Sequence, residues 1–307
     1  MGMLSDYSKY VYNKQKETER KQKIKNIKYH PENFSIDLSN TRYILKTKSV
    51  VGNIRDNNED NATIMISLYD EEVKLLAVCD GLGGLDCGEL ASKIAIYTLQ
   101  EWFLKNDFSK YDNNQIKKSI AYAIGLANFN IIIEQNKKNK EYKEAGNYEI
   151  CDMATTLTMA LITSEKTYIA NVGDSRTYEL INDKLIQITE DDSYVWNRYK
   201  NGEIKKDDLR FEPQNNIISK CLGQNKNLGS IKISTINNDY KSLLLFSDGV
   251  TDILSDSDIK NVIDTTDKKD IIDGIIYDAL NIENDDLKDC CITPGKDNAT
   301  VAIYMKK

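Results

Sequence analysis

Lys74-Leu75-Leu76-Ala77-Val78-Cys79-Asp80-Gly81 is the stretch on which the fold turns. A short run this apolar, cut off by Asp-Gly, reads as a strand covered on both faces and therefore central in its sheet. Its neighbours share the character. Residues 43–51 and 62–69 before it are β-type runs, as are 155–162, 167–172, 176–181, 184–188, 230–236, 242–246 and 300–305 after it. Asn182-Asp183 supplies a hairpin turn between two of them. Helical periodicity marks 89–104 and 114–135, where Ile116, Ile120, Ile124 and Ala127 share a face, followed by Ile131. A short helix is expected near 193–200. Another follows Leu254, where Ser255 and Asp258 stand as a capping box, and a third covers 270–280. Strands come in consecutive groups with helices grouped between them, not in strict alternation. That order excludes a doubly wound parallel sheet and predicts an α+β fold, an antiparallel β-sandwich flanked by helices.

The 307 residues suffice for one large domain with an arm. The arm is read at 1–40; between 9 and 28 of it Lys9, Lys14, Lys16, Arg20, Lys21, Lys23, Lys25 and Lys28 face only Glu17 and Glu19. A net charge of -7 leaves no surplus of cations for a phosphate backbone, which argues against a nucleic-acid partner. No apolar run reads as a membrane span, and the first thirty residues are too polar for a signal peptide, so a soluble cytoplasmic protein is expected. The six cysteines form no C-x-x-C pair and read as small buried apolar residues in a reducing compartment. None is followed six positions later by arginine, so the phosphate loop of cysteine-dependent phosphatases is missing. The single histidine, His30, lies in the polar arm, which argues against Ser-His-Asp catalysis, His-rich zinc sites and kinase catalytic loops.

The chemistry shows where strands end. Asp80, Asp174 and Asp248 each stand at or just past a strand end. Glu59 and Asp60 sit before one strand, and Asp297 sits before the last. Carboxylates placed so point past the sheet edge into loops, where several can converge. Clustered carboxylates repel one another, and a hard cation with oxygen ligands resolves the repulsion. Gly81, directly after Asp80, lets the backbone approach closely enough for a carbonyl to serve as ligand. Taken singly, Asp-Gly is an ordinary turn and Arg55 a surface residue. The set, in its order, carries the information.

That order resembles the type 2C, metal-dependent (PPM) serine/threonine phosphatases from about Tyr43 to the C-terminus. Gly52-Asn53-Ile54-Arg55-Asp56-Asn57-Asn58-Glu59-Asp60 looks like their first motif. Val78-Cys79-Asp80-Gly81-Leu82-Gly83-Gly84, followed by Gly88-Glu89-Leu90-Ala91-Ser92, looks like the second in its bacterial form. Ala154-Thr155-Thr156, Gly173-Asp174-Ser175-Arg176, Ser247-Asp248-Gly249 with Asp252, and Gly295-Lys296-Asp297-Asn298 resemble the rest. The resemblance implies a four-layer αββα sandwich over 41–307, two packed antiparallel sheets between helices, with a flap at about 190–222. It implies Mn2+ or Mg2+ at one end of the sandwich. Asp80 would bridge two core ions, Asp248 and Asp297 would hold the first, and Glu59 and the Gly81 carbonyl the second. Asp174 and Asp252 match ligands of a third. Asp60 would orient the metal-bound water that attacks phosphorus, and Arg55 would grip the substrate phosphate.

The implied partners are proteins phosphorylated on serine or threonine, with a Hanks-type kinase as counterpart, and the implied state is a monomer. The sequence departs from eukaryotic relatives at two places. Leu82 stands where many carry a histidine thought to protonate the leaving alkoxide, and Asp192 replaces the histidine of a Thr-x-Asp-His-Ser segment. The competing reading is a catalytically retired regulatory or binding protein on the same fold. Retired members usually lose metal-binding aspartates, and Asp80, Asp248 and Asp297 are all present.

Overall fold

The structure, a computed structural model, describes residues 33–83, 87–282, 287, 290 and 292–307. His30 and most of the expected basic arm lie outside the described residues. The sheet begins inside the stretch read as that arm: β1 (Phe34–Asp37) pairs antiparallel with β2 (Tyr43–Val50).

Two sheets follow. The first has the order β1-β2-β13-β12-β9-β10, with β9 (Arg176–Ile181), β10 (Lys184–Gln187), β12 (Ser242–Phe246) and β13 (Ala299–Lys306). The second has the order β11-β8-β7-β4-β3, with β3 (Asn61–Ile66), β4 (Lys74–Cys79), β7 (Leu157–Ile162), β8 (Lys166–Val172) and β11 (Ile233–Asn237). All the pairings are antiparallel. The run that opened the sequence reading, β4, lies between β3 and β7 with every residue buried. Its alternation shows why. Leu75, Ala77 and Cys79 enter the core shared with the helices Cys87–Lys105 and Asn113–Glu144, whereas Leu76 and Val78 enter the core between the sheets. The outer face of the other sheet packs Leu244, Phe246, Val301 and Ile303 against Ile259, Val262, Ile271 and Ile275 of the helices Asp256–Thr265 and Ile271–Asn281. Helix, sheet, sheet and helix make four layers, and each buried Leu, Ile or Val contributes about 1.5–3 kcal/mol.

Local signals explain the joints. Asn182 and Asp183 both take left-handed φ, 49° and 61°, which matches the right-handed twist of the hairpin they close. Ser255 and Asp258 exchange the two hydrogen bonds of a capping box. The helix Asn113–Glu144 runs past the end expected at 135, because its last turns are polar and carry no apolar stripe to read. One stretch of it is apolar and long enough to cross a membrane, contrary to expectation, yet Ile116, Ile120, Ile124, Ala127 and Ile131 are buried in the core.

The cysteine reading is corrected as well. Cys87 and Cys151 form a disulfide with Cα atoms 6.0 Å apart. The short pairing of β5 (Gly81–Leu82) with β6 (Ala154–Thr155) brings their two segments together. Cys79 and Cys221 are buried thiols, and Cys290 is exposed.

Candidate active site

Strand register gathers the acidic residues at one end of the sandwich. Asn61 pairs with Cys79, so Asp60 and Asp80 stand side by side where β3 begins and β4 ends. Phe246 pairs with Val301, so Asp248 and Asp297 emerge together from the facing sheet. Asp174 lies in the crossing from β8 to β9, which leads from one sheet to the other.

Asp60 is fully buried, and its Oδ2 accepts from Ser247 Oγ at 2.7 Å and Thr300 Oγ1 at 2.6 Å. Its Oδ1 is buried without a partner. Desolvation pushes its pKa up to about 7, against the pull of the two hydroxyls, with Asp248 and Asp297 adding repulsion. Asp80 is held well above the carboxylate range by burial and then by Asp248, with which it shares a hydrogen bond. Its backbone is clamped: the N–H donates to Thr156 Oγ1 at 2.9 Å, and the carbonyl accepts from Thr156 N–H and Thr155 Oγ1, both at 2.8 Å. Asp248 is raised by burial first and by Asp297 next. Arg55, half exposed, donates to Asp297 Oδ2 at 2.7 Å and stands 4.0 Å from Glu59. Its pKa is raised chiefly by the Asp297 bond, and the charge of Asp80 adds to this. Among the described residues no three acidic side chains meet at coordinating distance.

Two glycines are fixed by close approach. A Cβ on Gly81 would lie 2.3 Å from the Gly88 carbonyl oxygen and 2.5 Å from that of Glu59, and one on Gly249 would lie 1.9 Å from that of Asn298. The Glu59 carbonyl accepts from Gly81 N–H at 3.1 Å and from Ser92 Oγ at 2.7 Å. These bonds lock the second-motif turn against the first motif.

Asp174 and Asp252 line a separate cavity of about 10 Å³ with Asp248 and Asn215. Asp174 is raised well above its ordinary value by burial and then by Asp248, and its Oδ1 has no partner. Burial and Asp248 push Asp252 up to about 8, although Asn215 Nδ2 donates to it at 3.0 Å. Arg176 is buried nearby but committed to Asp191 Oδ2, at 2.7 Å from Nη2 and 2.9 Å from Nε.

Carboxyls raised by burial first and by one another next, with unpartnered oxygens on Asp60 and Asp174, are an all-oxygen donor set that suits a hard divalent cation. Leu82 is half-buried in β5 and brings no proton. Asp192 does not face this cluster; its Oδ2 accepts from Gly173 N–H at 3.2 Å. Sequence reading missed four supports. Asn298 donates to the Val51 and Asn57 carbonyls at 2.7 and 2.9 Å and accepts from Glu59 N–H at 2.9 Å. Ser247 and Thr300 hold Asp60, and Asp191 holds Arg176. Each stands within three residues of a residue singled out from the sequence, and that adjacency was the available signal.

Residues 55–270 match the family Protein phosphatase 2C. The serine/threonine phosphatase stp of Listeria innocua is 31% identical over 215 residues, 69% of this chain and 79% of that protein. Among solved structures, serine/threonine phosphatase Stp1 from Staphylococcus aureus superposes with a TM-score of 0.68 at 28% identity, covering 91% of this chain and 96% of that one. The catalytic domain of the protein phosphatase PstP in complex with two manganese ions shares the fold, with a TM-score of 0.64 at 23% identity over 86% of this chain and 98% of that one. The fold, the six motifs in order and this match over most of the chain have one reading: the chain belongs to the protein phosphatase 2C family.

Proposed function

We infer that the chain is a metal-dependent serine/threonine protein phosphatase that hydrolyses phosphoserine and phosphothreonine esters on proteins. The observation that carries this reading is the convergence of Asp60, Asp80, Asp248 and Asp297 beside the Arg55 guanidinium at one end of the sandwich. Relatives named as serine/threonine phosphatases support it, and a neighbour complexed with two manganese ions supports Mn2+ or Mg2+ as the cofactor. We assign Asp80, Asp248, Asp297, Glu59 and the Gly81 carbonyl to two core ions, and Asp174 and Asp252 to a third. Bound divalent cations would neutralise phosphoryl oxygens and acidify water.

The chain's own residues do the rest. Arg55 offers a planar fork to the phosphoryl oxygens, a better match than an ammonium. Asp60, fixed through Oδ2 by Ser247 and Thr300, has Oδ1 free to orient the attacking water. A covalent phosphoenzyme is not needed: Cys79, next to Asp80, is a buried thiol whose pKa is pushed far up by desolvation, and Cys221 is pushed up to about 11. Water is the proton donor to the leaving alkoxide, because Leu82 supplies none.

The counterpart activity is a Hanks-type kinase acting on the same proteins in the cytoplasm, and the enzyme works as a monomer. The test is hydrolysis of an aryl phosphate and of phosphothreonine peptides with and without Mn2+, in wild type and Asp80→Asn. Metal-dependent turnover lost in the variant supports the reading. A well-folded wild type that binds Mn2+ yet turns over neither substrate would place it among retired regulatory proteins.

A further inference from the structure

Behind Asp174, across Asp191, lies a larger cavity of about 130 Å³, walled by β8, β11 and the start of the 190–222 segment. Asp191 lines both cavities. Two of the residues lining this one carry a buried, unsatisfied polar atom. Trp196, 6% exposed, has no acceptor for its Nε1–H, and Asn171, 8% exposed, has no donor for its Oδ1. The other end of the Asn171 amide is used, donating to the Gly173 carbonyl at 2.9 Å, which fixes which way the oxygen points. An orphaned buried donor and an orphaned buried acceptor each leave a desolvation cost uncompensated, and a ligand carrying both complements removes it.

The mouth carries charge of both signs, Lys200, Lys220 and Lys232 beside Glu190, Asp191 and Asp192. Lys200 and Lys232 share Glu190 at 2.9 and 2.8 Å. Lys220 donates only to the Ser230 carbonyl, at 2.8 Å, and pairs with no carboxylate among the described residues. Asp191 is committed to Arg176 and Gln187; Asp192 accepts from Gly173 N–H and feels the charges of Lys220 and Lys232 without a direct ion pair to either.

A peptide group carries both complements, a carbonyl for the indole N–H and an N–H for the amide oxygen, and an acidic side chain answers Lys220. A cavity of about 150 Å³ holds a six-carbon ring, so this one takes about one residue. Resting on the phosphatase reading, we propose that the cavity is a substrate subsite for an aspartate or glutamate flanking the phosphorylated residue.

Matched phosphothreonine peptides with acidic, amide or lysine flanks, together with p-nitrophenyl phosphate, test this. Acidic flanks should lower KM about tenfold relative to their amides, a difference of about 1.4 kcal/mol. Trp196→Phe keeps the ring but removes the N–H; it and Lys220→Gln should erase most of that preference through KM. Their kcat and their nitrophenyl phosphate turnover should stay at wild-type values. Lys220→Glu should shift the preference toward lysine flanks. Hydrolysis indifferent to flanks, or an acidic preference that survives both Lys220 variants, overturns the subsite alone. Absence of hydrolysis on every ester overturns the phosphatase reading and the subsite with it.

Discussion

Arg55 is half exposed and already bonded to Asp297, so it stands between solvent and the acidic cluster. Guanidinium donates to phosphate but cannot ligate a cation. Arg55→Ala should therefore raise KM for phosphoesters about tenfold and weaken inhibition by inorganic phosphate, with metal content unchanged; Arg55→Lys should recover part of the loss. Steady-state kinetics and metal analysis on the same samples check both. Asp174 and Asp252 share a cavity that Asp248 also lines but Asp80 and Asp297 do not, so Asp174→Ala and Asp252→Ala should lower kcat while the tight pair of ions stays bound, which calorimetry can count. The acids were legible in the sequence because each sits at a strand end beside glycine or in a motif. Their supports were not. Thr300 reaches Asp60 across 240 positions, a contact set by the pairing of β2 with β13 and by the packing of the two sheets. Leu82 also keeps its meaning at this scale: Leu82→His should raise phosphopeptide turnover relative to nitrophenyl phosphate, because only a poor leaving group needs the donor.

Among the elements, the strands were read well because alternation and turn chemistry are local. The Asn182-Asp183 hairpin and the Ser255 cap each rest on a few adjacent residues. β1 was missed because its four residues alternate between half-buried and exposed, too short and polar a run to stand out from the basic arm. The Cys87–Cys151 link was unreadable for a different reason. Its partners lie 64 residues apart, and only the two-residue pairing of β5 with β6 brings their segments together. Closing a loop of that length constrains the unfolded chain by about 4 kcal/mol. Cys151→Ser, or reduction of the wild type, should therefore lower the guanidinium midpoint substantially. Equal midpoints for oxidised wild type, reduced wild type and variant would show that the bond carries no stability.

For the molecule as a whole, the buried carboxylates set the pH response. Asp60 and Asp252 hold protons in the fold up to about pH 7 and 8, but ionise near 4 in the unfolded chain. Between those values the native state binds more protons, so this contribution is complete below about pH 4 and is lost as pH rises through 7 and 8. In chelator, Tm should fall from pH 5 to pH 8. Mn2+ at a hundredfold excess over its Kd should restore about 2.7 kcal/mol at pH 8. The same carboxyls oppose folding once they ionise with no cation to answer them, so Asp174→Asn, which removes a carboxyl that burial and Asp248 hold against ionisation, should melt above wild type in chelator at pH 8. Seen over generations, activity and foldedness pull this chain in opposite directions. A lineage released from the need to turn over phosphate would gain stability with its first silencing exchange, so loss of catalysis here is a downhill step that only selection for the reaction holds back.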